Sequence, residues 1–578
     1  MTISPPARPG VRTEGGWFGP ADRPLAGWLT RPLAGHNRVG VLMLPSVGYQ
    51  YWSAHRALRA LAELLAEQGA TVLRADYGGT GDSAGDQGDA GRVAEWRSLA
   101  SWGAAALRRA GADHIVVVGV RLGATFALLD SADIGAEAVV AWAPVVSGQR
   151  YGREIALLGE HVPLGPWPGG MSGTVAAGTV WTEETMRALK QLKLTAAAVP
   201  PASRILVVDD ASGHYDEWAA GWRDLGARVD IETCPESGEV LRLPTEDVEV
   251  PVRTNLAIAR WIKALPGSRE ASTPSATVES LENPVSFTWR DDEVTEEVIT
   301  VGTRELTCIR CAPNGPGADQ VEAGTAVVFV NSGSEPHIGP GRAWVEFGRD
   351  LAAAGYVTFR LDYSGWGESP DLDHAPGRPY DQHTVGETSD VVDALHEQGL
   401  RLVFLVGLCA GAWICMAAAR KTAVDGVIAL NPQLYWQPGD VVEALMADTH
   451  ARRETERARH RRWAKVGLWS VLDAVGVRHP AGRWLNDLRR RGTPILLLFS
   501  SNDDGAEFLR ARVGRSLRRA LRSSMSLVEL EEIDHSMHRV WRRADVVGAM
   551  TSFLDAHAHP APQRRLGGAT SKTAPSKS

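Results

Sequence analysis

The amino-acid sequence predicts an α/β fold made of two tandem domains, each a mostly parallel central sheet flanked by helices. Three observations carry this expectation. Apolar strand-like runs alternate with amphipathic helical runs along most of the chain. At 578 residues the chain is too long for one hydrophobic core. The pattern is also written twice, with matching residues recurring in the second half of the chain.

Taken in order, residues 38–83 read as strand, polar loop, amphipathic helix, strand and Gly-rich turn, which is a βαβ unit. Residues 325–369 repeat that plan, so that Gly69 matches Gly355 and Asp76-Tyr77 matches Asp362-Tyr363. HIVVVGVRLGATFALL at 114–129 then matches RLVFLVGLCAGAWICM at 401–416, each an apolar strand turning at two glycines into a helix. Ahead of the parallel run in the second half, VITVG and ELTCIRCAP within 298–313 should form antiparallel edge strands. The stretch 265–284, rich in Pro, Ser, Thr and Glu, is too polar to bury and reads as a linker between domains at 1–264 and 285–558. Residues 559–578 share that character and read as a disordered tail.

A composition of 44% hydrophobic and 22% charged residues with a net charge of -8 is that of a globular protein with no global nucleic-acid signature. The start, MTISPPARPG, has no apolar core of a signal peptide, and no apolar run reaches the ~18 residues of a membrane span, so a cytoplasmic protein without membrane or nucleic-acid partners is expected. Five cysteines form no disulfide framework, which points to reduced thiols. Cys308 and Cys311 make a CxxC without a second pair or His-rich partner at ligand spacing; they read as buried strand residues, with no metal and no cofactor expected.

The chemistry concentrates in the second half. Gly407-Leu408-Cys409-Ala410-Gly411 is a G-x-nucleophile-x-G elbow with the strand LVFLV before it and the helical AWICMAAAR after it. Such a turn exposes the Cys409 sulfur at the sheet edge, and the following helix N-terminus favours its thiolate. Downstream, the strand of PILLLFSSNDDGAEFL (494–509) ends in acids and that of SLVELEEIDHSMHRV (526–540) ends in a histidine. This is the nucleophile, acid, histidine order of one hydrolase superfamily.

On these motifs the second half, over roughly residues 290–558, resembles an α/β-hydrolase of the Ser-aminopeptidase-like or dienelactone-hydrolase-like type, with Cys409 where most members have Ser. The resemblance implies a triad of Cys409, Asp503 and His535, with Asp504 and His538 as neighbouring alternatives. It further implies an oxyanion hole from the Ala410 N–H and a second donor at Gly333 or Ser332, in the loop after the first central strand. The insert 433–492 has a helical pattern and matches the place where the family carries its cap. Its run 451–465, with six arginines and a lysine, would suit an acidic carrier or a phosphopantetheine arm, or simply form a solvated helix face. Among the 20 tryptophans, Trp366, Trp413 and Trp436 fall in segments expected to surround the Cys409 pocket and to bind substrate.

In the first half the elbow reads Gly119-Val120-Arg121-Leu122-Gly123, and a guanidinium is no nucleophile. Asp209 and Asp210 stand near the acid position, but 233–251 contains no histidine. With R-L-G-A at the elbow and W-A-P-V-V-S-G at 142–148, this half resembles the degenerate hydrolase-like proteins found beside bacterial exosortase and polysaccharide systems. That implies a noncatalytic domain packed on the other. Arg121 could bind a substrate carboxylate or phosphate, or pair with Asp76 or Asp209 to hold the fold.

The function expected is acyl transfer through an acyl-thioester on Cys409. The substrate is an ester or thioester, including one borne by a carrier protein or CoA, and the acceptor is water, a thiol or an amine. The competing expectation is a noncatalytic scaffold or carrier-binding partner.

Overall fold

The computed structural model describes residues 10–159, 172–194, 200–213, 215–243, 245–269, 279–314, 324–333, 335–370, 380–434, 480–501 and 503–558. In the first half the strands are β1 Val11–Phe18, β2 Leu25–Pro32, β3 Val39–Leu44, β4 Thr71–Ala75, β5 His114–Val120, β6 Ala138–Trp142, β7 Gly173–Ala176, β8 Thr179–Thr182, β9 Arg204–Asp209 and β10 Arg228–Thr233. They build a sheet in the order β1-β2-β4-β3-β5-β6-β9-β10, with β7-β8 a separate hairpin. The second half contributes β11 Val285–Trp289, β12 Asp292–Val301, β13 Leu306–Pro313, β14 Thr325–Phe329, β15 Val357–Leu361, β16 Leu402–Leu408, β17 Gly426–Leu430, β18 Ile495–Ser500 and β19 Met525–Leu530. Their order is β11-β12-β13-β15-β14-β16-β17-β18-β19. The chain thus has an α/β fold with two mostly parallel sheets flanked by helices.

Burial explains the strand composition. β3, β5, β14, β16 and β17 are almost continuously apolar because helices cover both faces of a parallel sheet. β11, on the sheet edge, alternates buried and exposed residues. β12 and β13 run antiparallel ahead of the parallel strands, as the sequence suggests. Cys308 and Cys311 are buried on β13, where loss of solvent pushes both thiols up. Among the described residues no group of His, Cys, Asp or Glu is placed to hold a metal ion, and no helix is long and apolar enough to cross a membrane.

Within the segment read as a linker, Glu282 has an exposed side chain and exchanges both backbone hydrogen bonds with Trp17 of β1, at 2.8 Å each. Backbone pairing with an edge strand needs no apolar side chain, so composition gave no sign of it. Residues 270–278, the tail 559–578 and residues 435–479 of the expected cap lie outside the described residues. Pro480–Arg491 forms a helix with Trp484, Leu485 and Leu488 buried beneath it.

The two halves pack through a buried, charged interface. His337 places Nε2 2.6 Å from Asp82 Oδ2 of the first half. Arg360 on β15 bonds Asp82 and reaches Glu296 at 2.7 Å. In the reverse direction Arg74 on β4 grips Glu368 with bonds of 2.7 and 2.6 Å, and His55 lies 2.9 Å from the same carboxylate. Arg342 and Arg349 add bonds to the carbonyls of Gly81, Asp82 and Ser83. Charges withdrawn this far from water are tolerable because each is matched and hydrogen-bonded.

Candidate active site

Cys409 follows β16 and caps the helix Ala410–Ala418 with φ 55° and ψ -112°. A positive φ at a non-glycine residue costs on the order of 1–3 kcal/mol and persists only where the surroundings enforce it. Glycines permit the close approach that enforces it here. A Cβ on Gly407 would lie 2.3 Å from the Gly411 carbonyl carbon, and one on Gly411 would lie 2.7 Å from the Asn331 carbonyl oxygen. Arg121 has nearly the same backbone, φ 50° and ψ -113°, so the first half retains the elbow without its thiol. Cys409 is half-buried, whereas Cys234, Cys308, Cys311 and Cys415 are buried.

His535 stands in the loop after β19. Its Nδ1 lies 2.5 Å from Asp503 Oδ2, and the ring also hydrogen-bonds Cys409. Burial opposes charge on this imidazole, but the bonds to Asp503 and Cys409 outweigh it and push its pKa up to about 10. The second oxygen of Asp503 accepts the Gly505 N–H at 2.8 Å and caps the helix Asp504–Leu521, which fixes the carboxylate. Of the two adjacent acids it is Asp503 that meets His535, while Asp504 is exposed on the first turn of that helix. His538 sits beside Asp534 at 3.7 Å and packs against Gly178.

The Ala410 N–H begins the helix after Cys409 and therefore has no intrahelical acceptor. Gly411 brings the elbow onto the carbonyls of Val330 and Asn331, so the loop with Ser332 and Gly333 lies against it. Gly333 adopts φ 61°, a conformation open to glycine.

Two residues were not anticipated from sequence. Asn431, φ 44°, donates from Nδ2 to Ser500 Oγ and to the His535 carbonyl, both at 2.9 Å, and its Oδ1 accepts the Ser500 N–H at 2.8 Å. It thereby ties the ends of β17 and β18 to the histidine loop. Its counterpart in the first half is Ala143, φ 45°, where the corresponding segment 233–251 has no histidine. The Asn-Pro step directly after a buried strand was the available signal. Tyr380 places its hydroxyl 3.8 Å from Cys409 Sγ and 2.9 Å from Gln433 Oε1, and no motif marks it.

The expected substrate residues fare differently. Trp413 is fully buried and meets Tyr380 edge-on at 5.6 Å and Trp484 at 5.1 Å, so it backs the site and does not line it. Helical periodicity placed it near Cys409 but could not tell which face turns to the core. Trp366 is 7% exposed in the turn after β15, under Arg56 of the first half. Trp436 lies outside the described residues. Arg121 pairs with neither Asp76 nor Asp209. Its guanidinium bonds both oxygens of Glu154, at 3.0 and 2.7 Å, and Gln50 at 3.2 Å. Asp76 instead takes the Tyr51 hydroxyl and Asp209 the Gly213 N–H, each at 2.7 Å.

Residues 327–549 match the model of the alpha/beta hydrolase family, a span that starts within β14 and includes the elbow, Asp503 and His535. Solved structures similar to parts of the chain include a dienelactone hydrolase from Anabaena variabilis, at 14% identity over 48% of this chain and 100% of that one, with a TM-score of 0.30. An esterase from Pyrococcus furiosus is similar at 14% identity over 48% of this chain and 100% of its own, with a TM-score of 0.31. A thioesterase domain from the curacin biosynthetic pathway is similar at 15% identity over 45% and 99%, with a TM-score of 0.27. No curated protein sequence matches the chain.

Proposed function

We propose that the second half catalyses acyl transfer through a thioester on Cys409, from an ester or thioester donor to water, a thiol or an amine. The observation that carries this reading is His535 held between Asp503 and the Cys409 sulfur at a strained elbow. The thiol proton passes to His535, whose Nδ1 side is fixed by Asp503, and the sulfur attacks the donor carbonyl. Ala410 N–H, with an N–H at Ser332 or Gly333, stabilises the oxyanion. As the carbonyl re-forms, the bond to the leaving oxygen or sulfur breaks and His535 returns the proton to it. The acceptor then loses its proton to His535 and attacks the acyl carbon, restoring Cys409.

A thioester reacts relatively better with thiols and amines than an oxyester does, which is the chemical argument for transfer alongside hydrolysis. The test is intact-mass spectrometry after mixing with short acyl p-nitrophenyl esters and acyl-CoA thioesters, with and without a thiol or amine acceptor. The expected result is one acyl adduct, at Cys409, absent from Cys409→Ala. An acceptor that accelerates product formation over free acid marks a transferase. Full activity of Cys409→Ala in these assays would overturn the reading, and a Cys409→Ala variant that keeps full activity in the native pathway would favour a noncatalytic scaffold.

A further inference from the structure

The interface between the halves has the reciprocal form of a two-fold dimer, in which each patch meets its own counterpart. Arg360 meets Asp82 while Arg74 meets Glu368, and Arg342 donates to the Gly81 carbonyl while Arg59 donates to that of Gly367, both at 2.9 Å. Arg74 and Arg360, Asp82 and Glu368, and Gly81 and Gly367 are separated by the same offset as Asp76 and Asp362.

The symmetry is not exact, since Arg59 and Arg342 do not stand at equivalent positions, and one of its breaks lies beside the Asn331 loop. Tyr51, the counterpart of His337, gives its hydroxyl to Asp76 at 2.7 Å within its own half. His337 makes the matching bond from Nδ1 to Asp362 at 2.6 Å and also uses Nε2, which lies 2.6 Å from Asp82 across the interface. Burial opposes a charge on this ring, but the two carboxylates raise its pKa well above the usual imidazole value, so both nitrogens carry protons and donate. His337, 2% exposed, closes the loop that opens at Asn331. Both ends of that loop reach the same carboxylate oxygen: Asn331 Nδ2 is 3.4 Å and the His337 backbone N is 2.7 Å from Asp362 Oδ1. Ser332 and Gly333 lie between those ends.

We propose that Asp82, in the half without a nucleophile, is a positioning residue for the acyl-transfer site, acting through His337 to hold the Ser332–Gly333 backbone that supplies the second oxyanion donor. This rests on the reading under Proposed function. It gives the first half a role that needs no substrate of its own. Asn at position 82 has one oxygen for the two donors Arg360 and His337. When the permanently charged guanidinium takes it, the amide NH2 faces the His337 N–H, which is left unsatisfied, and one of the two restraints on the ring is released. An oxyanion donor displaced by about 1 Å loses much of its effect on the transition state, so the damage appears in turnover and not in binding.

The test uses the full chain with a p-nitrophenyl ester, and follows kcat, KM and the rate of Cys409 alkylation by iodoacetamide, which reports on the Cys409–His535–Asp503 group alone. Asp82→Asn is expected to lower kcat by about 10- to 100-fold, with KM and the alkylation rate within about threefold of the parent. Glu368→Gln, the mirror-image lesion, breaks interface bonds of the same kind away from the loop and is expected to leave kcat within about threefold. Asp82→Asn combined with His337→Gln is expected to be no slower than His337→Gln alone, because the two act through one bond. Unchanged kcat in Asp82→Asn, a parallel loss of alkylation, losses that multiply, or an equal loss in Glu368→Gln would each overturn the proposal. If Asp82→Asn does not fold, His337→Gln is read alone against the same kcat and alkylation criteria. Cys409→Ala run alongside separates the two levels. Activity that survives it sinks the acyl-transfer reading itself, whereas an unaffected Asp82→Asn in a protein that needs Cys409 sinks only this inference.

Discussion

Replacing Asp503 by Asn tests the site at its least redundant bond. Asp503 is 4% exposed at its side chain and uses both oxygens: Oδ2 faces His535 Nδ1 at 2.5 Å and Oδ1 accepts the Gly505 N–H at 2.8 Å. An amide of the same shape can keep the helix cap only by turning its NH2 toward Nδ1. Nδ1 must then be the unprotonated nitrogen, the remaining proton moves to Nε2, and the ring can no longer accept the Cys409 proton. Keeping the histidine bond by flipping the amide sacrifices the cap, worth about 1 kcal/mol. The tautomer error is the larger effect. In a Ser-His-Asp triad the same error lowers turnover by about 10⁴-fold, or about 5.5 kcal/mol at the transition state, and that sets the scale expected here. The carboxylate also helps hold the His535 pKa near 10, so the alkaline limb of the alkylation rate at Cys409 should move to lower pH in the variant. The assay is stopped-flow acylation with a p-nitrophenyl ester, with urea unfolding as a control for the fold. The companion variant is Asp504→Asn, expected to stay within about threefold of the parent because that side chain is exposed and it is Asp503 that meets His535. Loss of less than tenfold in Asp503→Asn, or an equal loss in Asp504→Asn, would refute the assignment.

Four further outcomes follow from the same structure. Burial works against the charges of Asp82 and Glu368, but His337 and Arg360 hold the first, and Arg74 and His55 the second, well below the usual carboxylate range. Their contribution is present above about pH 4 and is lost as pH falls, because the unfolded chain binds the protons first, so urea-unfolding free energy should drop below about pH 4. Asp76, pushed up to about 6 by burial and by the Asp82 charge, has the opposite sign and should lower the unfolding free energy as pH rises from about 4 to 6. Gly411→Ala forces a Cβ to within 2.7 Å of the Asn331 carbonyl oxygen and should cost about 1–3 kcal/mol in urea unfolding while slowing acylation. Asn431→Ala is tolerated by the backbone, since Ala143 holds φ 45° at the matching place, yet it removes three hydrogen bonds. About 2–3 kcal/mol of stability should be lost and acylation slowed at least tenfold, and a variant as active as the parent would show that Asn431 does not position His535.

The legible part of this protein is local. The elbow could be read because a buried strand, two glycines that admit close backbone and a helix all lie within a few residues of Cys409. The sheets could be read because strands covered on both faces, such as β5 and β16, become continuously apolar. The order Cys409, Asp503, His535 was visible for the same reason, each residue standing at the end of an apolar run. What the sequence left open were choices between neighbours. Asp503 over Asp504 depends on which carboxylate the strand end aims inward, a rotation that composition does not encode.

By itself, the sequence determined an α/β chain with its plan written twice, and placed a thiol on one elbow where the other has a guanidinium. Only the tertiary structure decided the partners of the long polar side chains: Arg121 with Glu154, Asn431 with the His535 loop, and His337 between Asp362 and Asp82. The physical reason is range. Apolar periodicity and backbone sterics act over one turn or one strand and leave a mark in the local sequence. A buried charge is satisfied by whatever group folding brings within 3 Å of it, and residues such as Asp82 and His337 carry no local sign of each other.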